Sequence, residues 1–294
     1  RVQSPAVKIL VDREKQRTKF IKNEYWSLQG NFKSDSGKIF SRLFSIKGER
    51  IAIGNSFNKE TGSLSAKNTI VLDQKSAEEL ANALGSNDWK ISNLETKPQT
   101  QNPYPPFITS TLQQEGIRKL HMNSTQIMRI AQALYENGHI TYMRTDSINL
   151  SSEALNASRK VIEQKYGKDY LPNSPRVYKS KSKNAQEAHE AIRPAGSVFK
   201  DPKELKSRLN DAEYKVYDLI WKRTVASQMN SAKIEQTKLQ ISDGNHIFVA
   251  NGKTIIFPGF LRAYVEGSDD PSADLDDMEK TLPKVVVGDS IQWD

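Results

Sequence analysis

Gly138-His139-Ile140-Thr141-Tyr142-Met143-Arg144-Thr145-Asp146-Ser147-Ile148-Asn149-Leu150 is the stretch around which the chain is organised. Before it, Asn123 to Asn137 carries Ile127, Ile130, Ala131 and Leu134 at helical spacing, which predicts an amphipathic helix. Gly138 is placed to stop that helix, because glycine accepts the left-handed conformation that closes one. A short β-like run follows, and Ser151 or Ser152 is positioned to cap a next helix from Glu153 to Tyr166. In an extended run, residues two apart point the same way, so Tyr142 and Arg144 share a face. A free phenol has a pKa of about 10, so little of it is ionised at neutral pH. A guanidinium beside it favours the phenolate and can also hold a phosphate diester bidentately. The pair suits nucleophilic attack on a nucleic-acid phosphate, although a half-buried tyrosine beside a solvated arginine has the same sequence.

Working outward, Thr109 to Tyr217 reads as a helical block, flanked on both sides by residues with a period of two. Thr109 or Ser110 is set to cap Leu112 to Leu120, and Asp201 to Met229 reads as one long helix with an apolar stripe. Upstream, Glu24 to Phe32 and Lys38 to Ser45 alternate as strands, with shorter pieces at Ile51 to Phe57 and Asn68 to Leu72. Ser76 to Leu84 is a short helix capped by Ser76 and ended by Gly85, and Trp89 to Lys97 is one more strand. The aromatic residues of this sheet read as core rather than as base-stacking platforms. Thr96 to Pro106 reads as a linker. Downstream, strands are expected at Glu235 to Ile241, His246 to Ala250, Thr254 to Phe257, Lys284 to Val287 and Ser290 to Trp293. Asp243-Gly244-Asn245 and Asn251-Gly252 are the expected hairpin turns between them. Glu266 to Glu279 is acidic and reads as a mobile loop that avoids DNA. The fold class is therefore α+β and multidomain, a helical block inserted into a β-rich domain.

The composition narrows the function. A net charge of +8 and pI ≈ 9.3 point to a polyanionic partner. The absence of cysteine excludes disulfides, thiolate catalysis and zinc-thiolate sites within these residues, and fits a reducing compartment. No apolar run reaches membrane-spanning length. His189 and Arg193 fall one turn apart on an expected short helix, Ala185 to Ile192, but Arg193 stands where a zinc HExxH motif needs its second histidine. No Gly-rich GKS or GKT loop for a nucleotide is present. Arg176, Lys179, Lys181 and Lys183 make Pro172 to Lys183 a basic loop, which reads as solvated when taken alone and as a phosphate-contact segment beside a DNA-facing nucleophile.

Ile140-Thr141-Tyr142-Met143-Arg144-Thr145-Asp146-Ser147 resembles the active-site signature of type IA DNA topoisomerases, in the bacterial topoisomerase I branch. Three further stretches resemble family motifs in the family's order. Arg1-Val2-Gln3-Ser4-Pro5-Ala6 is similar to the strand-groove motif, and Pro106 to Gln114 to the entry into the tyrosine-bearing domain. Asn184 to Pro194 is similar to a conserved histidine helix. The resemblance implies a β-rich arch carrying an inserted, mainly helical domain with the catalytic tyrosine. Residues 1–19 would be a helical remnant of the strand-groove domain and 20–106 the first part of the arch. Residues 107–229 would be the helical domain, and 230–294 the second part of the arch.

By the same resemblance Tyr142 is the nucleophile, Arg144 stabilises phosphoryl charge and His189 binds or relays a proton. DNA contacts are implied for Arg1, Gln3, Gln132, Glu136, Thr145, Asp146, Ser147 and Arg193. The implied reaction is ATP-independent breakage, passage and rejoining of single-stranded or underwound DNA in the cytoplasm, associated with the nucleoid. The implied cofactor is Mg²⁺, held by acidic residues of a domain with no counterpart before Tyr142. The chain thus reads as a piece of a longer enzyme, expected to bind DNA weakly without cleaving it alone and to work with the remaining domains in cis. The alternatives are a single-stranded-DNA-binding module without chemistry and a topoisomerase III-like decatenase. A tyrosine recombinase or initiator nuclease is disfavoured, since neither dispersed arginines and histidines nor a His-x-His motif is visible.

Overall fold

A computed structural model of the chain describes residues 2–179, 189–265 and 280–294. The chain divides into two compact units at Lys97/Pro98, Glu235/Gln236 and Gly252/Lys253, with Lys280–Asp294 returning to the first. The first is strand-rich and the second mainly helical, the α+β composition expected from the periodicities.

The first unit opens with α1 (Gln3–Lys19), an exposed helix that buries none of its residues. Its Lys8–Asp12 and Arg17–Glu14 pairs lie in solvent and add little stability. Then come β1 (Gln29–Ser34), β2 (Gly37–Ile46), β3 (Glu49–Ile51), β4 (Thr69–Ile70), α2 (Gln74–Leu84) and β5 (Trp89–Gln101). Later in the chain β6 (Ala232–Ser242), β7 (His246–Phe257) and β8 (Ser290–Trp293) join the same sheet, in the order β1-β8-β5-β6-β7-β2-β3-β4. Because β1 also pairs with β2, six of these strands close on themselves and leave β3 and β4 as an extension. Closure removes two exposed sheet edges. Inside, Phe32, Trp89, Phe248 and Trp293 stack mostly edge to face at 5.1–5.6 Å, the geometry preferred by ring quadrupoles.

Several local expectations change in this unit. Asp73, not Ser76, caps α2, since its carboxylate accepts from Ser76 N at 2.8 Å. β5 continues to Gln101, through residues expected to form a linker. Asn251-Gly252 is no hairpin turn but the interior of one long β7. A Cβ at Gly252 would sit 2.9 Å from Leu282, so the glycine serves close packing. Lys284 to Val287 forms no strand, and the acidic Glu266 to Glu279 stretch lies outside the described residues. The aromatic residues do not all face inward. Period-two alternation along β2 buries Ile39, Ser41 and Leu43 and turns Phe40, Arg42 and Phe44 to the outer face.

The second unit packs α3 (Thr109–Leu120), α4 (Ser124–Glu136), α5 (Ser152–Lys165) and α6 (Pro202–Leu205) against α7 (Asp211–Ser227). α7 buries residues on all sides, among them Val216, Ile220, Trp221 and Thr224, as a central helix must. The single helix expected over Asp201 to Met229 is two, because Asn210 and Glu213 exchange side-chain to backbone bonds and start a new helix. Ser151 caps α5 as expected. Residues 189–194 are not helical. Ile192 bridges Phe107 and Pro194 bridges Ile140, and residues 185–188 lie outside the described residues.

Candidate active site

The tyrosine segment is positioned from both ends. α4 closes with a Schellman arrangement in which Gly138, at φ +70°, donates to Tyr135 O (2.9 Å) and His139 N to Leu134 O (2.8 Å). The chain then runs beside residues 191–195, with Thr141 N donating to Arg193 O (2.9 Å) and Ala195 N to His139 O (2.9 Å). Ala191 clasps both ends of the loop. Its carbonyl accepts from Thr141 Oγ1 (2.7 Å), and its N–H donates to Asn149 O (2.8 Å). Thr109 staples the middle, donating to Met143 O (2.8 Å) and accepting from Thr145 N (2.9 Å). That is why Thr109 does not cap α3. Its hydroxyl is engaged here, and Thr111 bonds the helix's first backbone groups instead.

Burial alternates residue by residue along this loop. Met143, Thr145 and Ser147 face inward, while Tyr142, Arg144 and Asp146 face solvent. Tyr142 is 46% exposed, with its ring edge-on to Tyr135 at 5.2 Å. Tyr135 therefore restrains the phenol, a role with no sequence signal beyond its place one turn before the loop. Arg144 is exposed and, among the described residues, forms no ion pair, which leaves its guanidinium available to an anion. His189 is exposed two residues before the Ala191 clasp. Gln132 and Glu136 bond each other (2.8 Å) on the helix that carries Tyr135.

Other predicted site residues turn inward or lie elsewhere. Arg193 is 5% exposed and all five of its N–H groups are engaged. They reach both oxygens of Glu190 (2.9 and 2.9 Å), Pro194 O (2.9 Å), Gly196 O (3.0 Å) and Ser151 Oγ (3.4 Å). This guanidinium is a clamp on the protein, with no donor left for phosphate. Thr145 Oγ1 accepts from Ser147 N (3.1 Å) and Ser147 Oγ from Asn149 N (3.3 Å), so both hydroxyls shape the turn. Arg176, from the basic loop, also turns inward to Met229 O and Ser231 Oγ (both 2.7 Å). Gln3 is exposed on α1 in the other unit, and Arg1, Lys181 and Lys183 lie outside the described residues.

A buried cation is linked through Phe107 to the segment that runs beside the loop. Arg223, buried, lies over the rings of Phe107 and Tyr264 at 4.9 and 5.1 Å and donates to Pro105 O (2.8 Å). Phe107 O in turn accepts from Ile192 N (2.9 Å), beside Arg193. Tyr264 donates to Glu115 (2.8 Å), and burial raises the Tyr264 pKa far above the ordinary phenol value. Burial would raise the Glu190 carboxyl, but the Arg193 fork and the Ser151 donors override it and hold Glu190 below the usual carboxylate value. Among the described residues, no group of three or more histidine or acidic side chains is placed to hold a metal ion. None of their helices is long and apolar enough to cross a membrane.

A family model described as DNA topoisomerase matches residues 1–294. The chain belongs to the DNA topoisomerase family. It is 51% identical over 290 residues to a DNA topoisomerase 1 of Synechococcus elongatus, covering 98% of this chain and 33% of that protein. It is 48% identical over 303 residues to a DNA topoisomerase 1 of Streptomyces coelicolor, covering 99% and 32%. The chain thus spans about a third of the length of these topoisomerase relatives. A solved structure of full-length topoisomerase I from Thermotoga maritima superposes with a TM-score of 0.70 at 28% identity, over 99% of this chain and 43% of that one. The resemblance drawn from four short motifs therefore extends over the whole sequence.

Proposed function

We propose that this topoisomerase chain supplies the strand-cleaving tyrosine of a type IA enzyme, acting on single-stranded or underwound DNA. The Tyr142 phenol loses its proton as its oxygen bonds to a backbone phosphorus. The bond from phosphorus to the 3′ oxygen breaks, and that oxygen takes up one proton and leaves as a hydroxyl, so no net proton is gained or lost. A 5′-phosphotyrosyl link results, through whose gap another strand passes before the reverse reaction reseals the first. One phosphodiester replaces another, so no nucleotide is consumed, and negative supercoils relax. Arg144 stabilises charge on the non-bridging oxygens, and fixed electrostatics of this kind dominate such steps. His189 donates to a phosphate oxygen or moves the leaving group's proton. The observation that carries the reading is the alternation presenting Tyr142 and Arg144 together on the solvent face of a loop held at Ala191 and Thr109.

Mg²⁺, which the family resemblance implies, would raise the electrophilicity of the phosphate. The described residues offer no cluster fitted to it, so no step here is routed through the ion. We further propose that the chain alone binds DNA without cleaving it and completes its site with further domains in cis, in the bacterial cytoplasm. A chimera in which this chain replaces the matching third of the Synechococcus elongatus relative tests both points. With labelled single-stranded DNA and Mg²⁺, denaturant should trap a covalent adduct for the chimera but not for the chain alone. An adduct that survives Tyr142→Phe refutes the nucleophile.

A further inference from the structure

The outer face of β2 carries chemistry that the tyrosine loop does not use. Phe40 is 57% exposed there, where a strand in a closed sheet ordinarily shows a polar residue. Arg42 follows two residues on, roughly 7 Å along the strand. Register places Asn31 opposite Phe40, and Gln29 opposite Arg42. The Lys238 ammonium of β6 sits over the Phe44 ring at 4.9 Å and the Arg50 guanidinium over it at 5.4 Å, so both charged groups are held against an aromatic plane. Gln29, Asn31, Phe40, Arg42, Phe44 and Lys238 line one open groove within the first unit. Lys38 is neutralised by Asp294 (2.7 Å), whereas Arg42 and Lys238 form no ion pair among the described residues.

We propose that this groove is a binding face for single-stranded nucleic acid, separate from the tyrosine loop. Phe40 stacks on a base, Arg42 and Lys238 meet backbone phosphates, and the Gln29 and Asn31 amides face base edges. An exposed aromatic ring beside cations without ion pairs and side-chain amides is the combination used in sequence-tolerant single-strand binding. A peptide or apolar partner would leave two cations uncompensated, while a polyanion neutralises them. The inference rests on the proposal that the chain handles single-stranded DNA, and it adds a second grip on the strand.

The test titrates the 294-residue chain with a fluorescently labelled thymidine oligonucleotide over a range of salt concentrations. Phe40→Ala should weaken binding by about 5-fold or more, the size of one lost stack. Arg42→Glu with Lys238→Glu should weaken it at least 10-fold and flatten the salt slope by about 1.4, given ~0.7 per phosphate on single strands. Phe40→Trp should retain affinity, with tryptophan emission quenched on binding. Unchanged circular dichroism and melting temperature confirm that each variant folds. Wild-type affinity in Phe40→Ala and the double reversal, with affinity lost in Arg144→Ala, overturns this face and leaves the tyrosine site standing. Failure of the wild-type chain to bind overturns the face as well. Concentration-dependent dimerisation that Phe40→Ala abolishes, without oligonucleotide binding, assigns the face to a second copy and likewise overturns it.

Discussion

Arg193→Met is the substitution that separates a clamp from a DNA ligand. It removes five donors from a buried site while keeping the length of the stem. Pro194 O, Gly196 O and Ser151 Oγ each lose a partner, about 1 kcal/mol apiece. The paired bonds to Glu190 are charge-assisted, but that carboxylate is partly exposed, so about 1–2 kcal/mol is the discounted figure. The sum is about 4–5 kcal/mol, or on the order of 10 °C in melting temperature for a domain of this size. Arg193→Lys should recover part of this, since an ammonium keeps the charge and lacks the fork. The assay is urea unfolding followed by the helical circular-dichroism signal. The pH dependence gives a second check. Folded Glu190 has a depressed pKa, so its contribution is present above the ordinary carboxylate value and fades as pH falls through the folded one. The stability gap between wild type and Arg193→Met should therefore narrow in acid. A variant within 0.5 kcal/mol of wild type (about the noise of surface substitutions) that also lost oligonucleotide affinity and salt slope would refute the clamp.

Thr109→Val keeps the shape of the staple and deletes its hydroxyl. It should destabilise the fold by about 1–3 kcal/mol and raise amide exchange at Thr145, measured by hydrogen exchange. Gly116→Ala puts a methyl 2.6 Å from Ile127 Cδ1 at the α3–α4 contact, and overpacking there should cost about 1–3 kcal/mol in urea unfolding. Burial, with Lys200 and Arg208 nearby, lowers the His139 pKa, so the unfolded chain takes up the proton first. Stability should decline as pH falls below about 6.5, the ordinary value, and His139→Phe should flatten that decline.

The loop geometry was legible because period two needs no tertiary information. Knowing that Tyr142 and Arg144 stand two apart in an extended run already puts them on one face. Arg193 was not fully legible: Glu190 and Gly196 stand three residues away on either side, but the Ser151 hydroxyl meets the guanidinium only after the chain returns from α5. Its spacing from His189 suggested a helix face, and the described residues there are extended. The break in the last long helix had a local signal in the Asn210–Glu213 capping pair, which an uninterrupted apolar stripe outweighed. Asn251-Gly252 has the composition of a turn, and only the Leu282 contact explains the glycine within a strand. Likewise Phe40 looks like core in any hydrophobicity count, and its outward aim follows from which face of β2 the sheet buries.

The two hydrogen bonds by which Ala191 holds Thr141 and Asn149 have a mechanical meaning. A pull applied at the Tyr142 side chain does not unzip the loop from one end, since both ends are fastened to the same residue. The load divides between the 191–195 segment and, through Thr109, the first turn of α3. Tension on that side chain is thereby shared with the rest of the helical unit through the 191–195 segment and α3.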